Sequence, residues 1–198
     1  SPASRITERL NKFGDTTLSD TILGVAFNYA CEGFFQVNIP VYEKALSDMK
    51  TWINCNEKLP TLDLYSGVGT IGLTIGGDDV TLVEINEHAV AEMQRNIVKL
   101  NRPNAKAILA PSEKSLEYIT GEQIVIVDPP RAGLHVDVAN RLLETEPPRI
   151  IYLSCNPVTQ ARDVSLLQEK YEIVHHQGYN FFPRTPHIEH LVVLDKKV

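Results

Sequence analysis

Cysteine is scarce in this chain and poorly spaced for structural use: Cys31, Cys55 and Cys155 are an odd number with no CxxC pair. That argues against a disulfide framework or a zinc site and for reduced thiols in a cytoplasmic protein, and no metal centre is expected. Long apolar runs are missing too. No stretch approaches the roughly 20 residues that cross a bilayer, and the N-terminus lacks the basic-then-apolar pattern of a secretion leader, so no membrane association is expected. Positive charge is in deficit, with 19 Lys and Arg against 25 Asp and Glu. The deficit lies before residue 127, with 11 basic and 16 acidic side chains there and 8 and 9 after it. No basic stripe is visible, so any nucleic-acid contact must be local or assisted by other parts of a larger protein. The first residue is Ser1 rather than Met, which reads as a piece of something longer.

What remains is an ordinary globular composition, 43% hydrophobic and 22% charged over 198 residues, enough for one well-buried core. Its organising stretch is DLYSGVGTIGL, residues 63–73. Residues 61–64, apolar and acidic (TLDL), read as a short buried strand, and residues 70–76 as the helix that follows a glycine turn. Gly67 and Gly69 place no Cβ in front of a ligand, and backbone N–H groups at the next helix start face whatever lies above the strand, which suits a nucleotide-like cofactor. Gly67, Gly69 and Gly72 also satisfy GxGxxG. The glycines alone therefore leave both NAD and S-adenosylmethionine open.

Further along, VTLVEI (residues 80–85) is a strand carrying Glu84 near its end, where doubly wound folds accept ribose hydroxyls. Asn86 caps a helix to about residue 100, and residues 106–109 form a third strand before a weaker helix over 112–118. IVIVD (124–128) reads as a strand buried on both faces, and Pro129 and Pro130 then hold a rigid corner directly after Asp128. RIIYLS (149–154) is another buried strand, followed by Cys155, Asn156, Pro157 and a helix over about 158–170. Cys155 lies at the same sheet edge as Asp128 and just ahead of a helix N-terminus, whose dipole favours thiolate over thiol. Residues 171–179 and 188–194 read as a final antiparallel pair, with Glu189 at the start of the second; an edge charge is the plain alternative for it. At the other end, residues 6–10 and 21–29 suggest short strands or a hairpin around a turn at 12–15. GFFQVN (33–38) then leads to a helix opened by Pro40 and running to about residue 54. A solvated loop amide is the plain reading of Gln36.

Taken together, DLYSGVGTIGL, VEI, IVDPPRAGL, YLSCNPVTQARD and FPRTPHIEHLVVL, in that order and spacing, closely resemble the catalytic domain of RNA uracil-5-methyltransferases. The likeness runs from about residue 33 to the C-terminus, and DPPRAGL with SCNPVTQARD settles the glycine ambiguity against NAD. The resemblance implies a class I S-adenosylmethionine-dependent methyltransferase fold: α/β, Rossmann-like, a mostly parallel seven-stranded sheet with an antiparallel C-terminal hairpin. It implies a catalytic domain over 33–198, with 1–32 a remnant of an upstream domain.

The resemblance also implies a mechanism. Cys155 matches the nucleophile that adds to carbon 6 of uracil, and Glu189 the base that removes the carbon 5 proton. S-adenosylmethionine would be held by Gln36, Tyr65, Gly67, Gly69, Thr70, Glu84 and Asp128. Gln36, Asp128, Arg131 and Phe182 would contact the substrate base, with Phe181 and Tyr179 as further stacking candidates. For Arg131 and Arg162, structural contacts compete with phosphate contacts. The expected partner is a tRNA or 23S ribosomal RNA, gripped with help from an absent N-terminal RNA-binding domain, by a monomer. An iron-sulfur cluster carried by some relatives has no counterpart here. Cytosine-5-methyltransferases are the nearest alternative, but DNA enzymes place the cysteine where this chain has Arg131, and RNA enzymes keep a second cysteine there. A non-catalytic cofactor-binding module is the other alternative.

Overall fold

The computed structural model describes residues 17–30, 34–53 and 59–198. The expected strand at 6–10, the turn at 12–15, and Cys31 and Cys55 lie outside the described residues. In chain order the elements are β1 (Thr17–Ile22), β2 (Val25–Ala30), α1 (Ile39–Trp52), β3 (Thr61–Leu64), α2 (Thr70–Ile75), β4 (Val80–Glu84) and α3 (Glu87–Lys99). There follow β5 (Lys106–Leu109), β6 (Ile124–Val127), α4 (Val136–Thr145), β7 (Arg149–Ser154), α5 (Pro157–Leu167), β8 (Tyr171–Tyr179) and β9 (Glu189–Lys196).

Seven strands form one sheet in the order β5-β4-β3-β6-β7-β9-β8. The first five are parallel, and β9 pairs antiparallel with both β7 and β8. All four residues of β3 and of β6 are buried, because helices cover both sides of the sheet. One face packs Ile71, Leu82, Met93, Ile126 and Ile151 with α1, α2 and α3, and the other packs Leu62, Leu64, Val125, Val127 and Tyr152 with α4 and α5. The chain reverses direction across the sheet between β3 and β6, so the crevice over their carboxyl ends is the natural ligand site.

The predicted fold class holds, and the departures are local. Residues 112–118 form two 3₁₀ turns rather than a helix: Lys114 and Ser115 bond back to Pro111 and Ser112, and so short a stretch cannot nucleate an α-helix. α4 has no counterpart in the expectations above. The hairpin β1–β2 turns at Leu23 and Gly24, both at positive φ. It docks on the main sheet, with Ile22 and Phe27 fully buried in the same core. Asn96 of α3 ties it down: its Oδ1 accepts from Asn28 N–H at 2.8 Å, and its Nδ2 donates to the Asn28 and Val68 carbonyls.

Candidate active site

The glycine turn between β3 and α2 forms as expected. Gly67 and Gly69 have φ of +56° and +86°. At Gly69 an added Cβ would press on Leu73 Cδ1 at 2.9 Å, whereas at Gly67 it would meet open space. The turn is therefore packed from below and open above. The Gly67 N–H donates to one oxygen of Glu84 at 2.9 Å and the Asn86 N–H to the other at 2.8 Å. Two backbone donors fix that carboxylate at the end of β4, and each oxygen keeps a lone pair for an outside donor.

Beneath the turn lies Asp63, fully buried in β3, its Oδ2 accepting from Gly72 N–H at 2.8 Å and its Oδ1 without a partner. Burial pushes this carboxyl up to about 7, against the pull of the Gly72 amide. Tyr42 of α1 is buried beside it. Burial first, then the charges of Asp128 and Asp63, hold its phenol protonated, while the Thr70 hydroxyl opposes the shift. Neither Asp63 nor Tyr42 was among the expected site residues. The available signal was an acid inside an otherwise apolar strand, four residues before the first turn glycine.

Asp128 follows β6, and burial, then Glu189 and Asp63, push its carboxyl well above the usual carboxylate range. The loop after it is clamped to the start of α5. The Arg131 carbonyl accepts from Asn156 Nδ2 at 2.9 Å and Thr159 Oγ1 at 3.1 Å, and Asp163 accepts from Leu134 N–H and Tyr152 OH, both at 2.8 Å. Arg162 is structural: its Nη2 donates to the Ala132 carbonyl and pairs with Asp163. The Arg131 side chain is exposed and acts electrostatically on Glu189 and Cys155.

Cys155 is half-buried directly after β7. The last β7–β9 pair is Ser154 with His190, so Cys155 and Glu189 come to the same end of these two strands, one residue beyond the ladder, despite the distance between them in sequence. Glu189 is not an edge charge. It lies in an interior strand, 4% exposed, and burial lifts its carboxyl to about 7, against Arg131. The expected lowering of the Cys155 thiol is not what the structure shows. Burial, then Glu189 and Asp128, push it up, and Arg131 and its own backbone N–H only partly oppose them. Asn156, not Cys155, caps α5, which leaves the thiol one residue outside the helix.

The Gln36 side-chain oxygen is buried and unpartnered, so the solvated-loop reading does not hold. Thr70 opens α2, buried, near Tyr42. Tyr65 sits at φ +62° and packs with Leu62, Leu64 and Val127 on the α4–α5 face of the sheet. Of the three aromatic stacking candidates, Phe181 and Tyr179 are buried core residues, the latter bonded to Asp48. Only Phe182 remains partly exposed. Phe34, 72% exposed beside Gln36, was not anticipated as a rim aromatic.

Comparison with known proteins gives a consistent result. Residues 15–197 match the tRNA (uracil-5-)-methyltransferase family. A protein of Enterococcus faecalis described as an uncharacterized RNA methyltransferase is 37% identical over 192 residues, covering 93% of this chain and 42% of its own length. One from Nanoarchaeum equitans, similarly described, is 36% identical over 96% of this chain and 42% of its own. The crystal structure of Pyrococcus abyssi tRNA (uracil-54, C5)-methyltransferase in complex with S-adenosyl-L-homocysteine superposes with a TM-score of 0.82 at 34% identity. That superposition covers 92% of this chain and 45% of that one. The chain thus spans less than half the length of these relatives.

Proposed function

Because the chain belongs to the tRNA (uracil-5-)-methyltransferase family, we propose that it methylates carbon 5 of a uridine in RNA with S-adenosylmethionine, through a covalent cysteine adduct. The observation that carries this reading is the convergence of Cys155, Glu189 and Asp128 at one sheet edge, with Glu189 buried and poised near neutrality.

The residues present fit a nucleoside cofactor. Gly67 leaves open space where a Cβ would stand, Glu84 offers free lone pairs to a vicinal diol, and Gln36 holds a buried acceptor without a donor. Gln36, Tyr65, Gly67, Gly69, Thr70, Glu84 and Asp128 would hold it. Bound S-adenosylmethionine would supply an electrophilic methyl group to carbon 5. Carbon 5 of uracil is too weakly nucleophilic to take that group unaided. Cys155 Sγ, as thiolate, bonds to carbon 6 and drives electron density onto the carbon 4 oxygen, which makes carbon 5 nucleophilic. After methylation Glu189 takes the carbon 5 proton, the carbon 6–sulfur bond breaks, and Cys155 leaves as thiolate. A carboxyl near 7 suits that role, since it is ionised enough to accept a proton and basic enough to hold it. Gln36, Asp128, Arg131 and Phe182 would receive the base after it leaves its stack.

The target, a tRNA or a large-subunit ribosomal RNA, belongs to the same proposal, as does a division of labour in which the rest of the full-length protein grips the RNA. An RNA carrying 5-fluorouridine should give a denaturation-resistant complex with the wild type and none with Cys155→Ala. Equal labelling of the two proteins, or none of either, would reject the covalent route.

A further inference from the structure

α5 buries four side chains, Gln160, Asp163, Val164 and Leu167, and two of those four core positions are polar. Asp163 anchors the loop after β6. Gln160, only 1% exposed, does something different. Its amide Nε2 donates to the Tyr152 carbonyl of β7 and the His190 carbonyl of β9, both at 2.9 Å. Its Oε1 lies 2.6 Å from His190 Nδ1. Both amide hydrogens point at carbonyls, which cannot donate, so the amide orientation is fixed. Oε1 must then accept, and His190 carries its proton on Nδ1.

This clip stands where the ladder gives out. The last β7–β9 pair is Ser154 with His190; Cys155 and Glu189 lie one residue beyond it, so no β7–β9 pair sets their separation. Glu189 is paired on its other side with Tyr179 of β8, which fixes it to β8 rather than to Cys155. Gln160 ties together the two strand ends that carry nucleophile and base, from three residues before Cys155 on one strand and one residue after Glu189 on the other. A leucine of similar volume would fill the same space and leave both carbonyls and the imidazole unpartnered. Resting on the function proposed above, we infer that Gln160 is a positioning residue, which sets the spacing between the Cys155 thiol and the Glu189 carboxylate. Proton removal from carbon 5 depends on this spacing more than cofactor or RNA binding does.

The test uses the full-length enzyme with an RNA substrate. Gln160→Met should fold, melting lower by the loss of its buried hydrogen bonds, and keep KM for both substrates, while kcat falls at least about tenfold. On ordinary uridine RNA it should accumulate the covalent protein–RNA complex that Glu189→Gln also traps, because the adduct forms but is not resolved. A role confined to stability would lower the melting temperature and leave kcat intact. Gln160→Glu supplies the second arm, and decides the matter if Gln160→Met does not fold. Its carboxyl, buried against two carbonyls, is protonated at low pH and restores one donor bond, so its kcat should exceed that of a donor-less variant at about pH 6 and fall as pH rises. The wild type should do the reverse. Burial, then the neighbouring His176, lower the pKa of His190, and the wild-type profile contains that contribution. Wild-type kcat in folded Gln160→Met, or a Gln160→Glu profile parallel to the wild type, would overturn the inference alone. A wild type that forms no adduct with 5-fluorouridine RNA would overturn the proposed function with it.

Discussion

Glu189 helps to hold the proton on Cys155. In the free protein the thiol is held up by burial and then by the charges of Glu189 and Asp128, with Arg131 pulling the other way. Glu189→Gln removes a negative charge from beside the sulfur, so this variant should react faster with iodoacetamide at Cys155 than the wild type at neutral pH. Arg131→Gln should react more slowly. Alkylation rates mapped to the Cys155 peptide across pH decide this, and a slower Glu189→Gln would contradict it. Glu84 offers a separate test. Both its oxygens are held by backbone N–H groups, so Glu84→Gln must turn its amide nitrogen toward one of them and loses a charged acceptor for the diol. Cofactor affinity should drop by roughly 10–100-fold, the range of a lost charge-assisted hydrogen bond, as read by calorimetry with S-adenosylhomocysteine. The positions of Glu84, Asp128 and Cys155 were legible in sequence because each ends an apolar run, and a strand's end is the sheet's edge. The acidity of Cys155 was not. It depends on a carboxylate that only the antiparallel return of β9 brings close, and no local spacing encodes that.

At the scale of elements, legibility followed burial. β3, β6 and β7 are strands enclosed by helices; the apolar runs of β6 and β7, and the glycine turn that follows β3, identified them and set their ends to within a residue. α4 carries a weak sequence signal because its apolar positions sit among charges and its cap is a histidine accepting from Asp137 N–H. The hairpin was misplaced: the strand expected over 21–29 contains its turn at Leu23 and Gly24, and a strand from Thr17 was not expected. Its attachment to α3 was not legible either, since the amide of Asn96 reaches across 68 positions to make it. Asn96→Leu should therefore cost about 1–3 kcal/mol, as the Asn28 N–H and C=O and the Val68 carbonyl lose their buried partner. Hydrogen exchange at the Asn28 amide should accelerate well before the β3 and β6 amides respond. Simultaneous acceleration would mean that the hairpin and sheet unfold as one unit. Because Val68 belongs to the glycine turn, the same variant should also weaken cofactor binding, whereas a loosened β1 alone would not.

Across the whole molecule, acid groups converge on one rim with no buried cation beside them among the described residues, and the protein's response to pH follows from that. Asp63 and Glu189 both have carboxyls lifted to about 7, and Asp128 is lifted well above its ordinary range. Each prefers to be neutral in the folded state and ionises near 4 in the unfolded chain. Between these limits the folded protein binds more protons than the unfolded one, so stability falls as pH rises. Stability from Asp63 and Glu189 is fully present below about pH 4 and is lost as pH passes through about 7, with Asp63 alone contributing on the order of a few kcal/mol at about 1.4 kcal/mol per pKa unit. The ligand-free protein should therefore melt higher in mildly acidic buffer than at pH 8, against the usual trend for a chain whose carboxylates are stabilised by pairing. Asp63→Asn keeps an acceptor for the Gly72 amide and cannot ionise, so it should flatten the slope and raise the melting temperature at pH 8. A melting temperature that climbs from pH 6 to pH 8, or a slope unchanged in Asp63→Asn, would contradict this account. A sulfonium placed over the same rim supplies the missing positive charge. Binding S-adenosylmethionine near pH 7 should then release protons that the neutral thioether S-adenosylhomocysteine does not, measurable as a buffer-dependent binding enthalpy for the first ligand and not for the second.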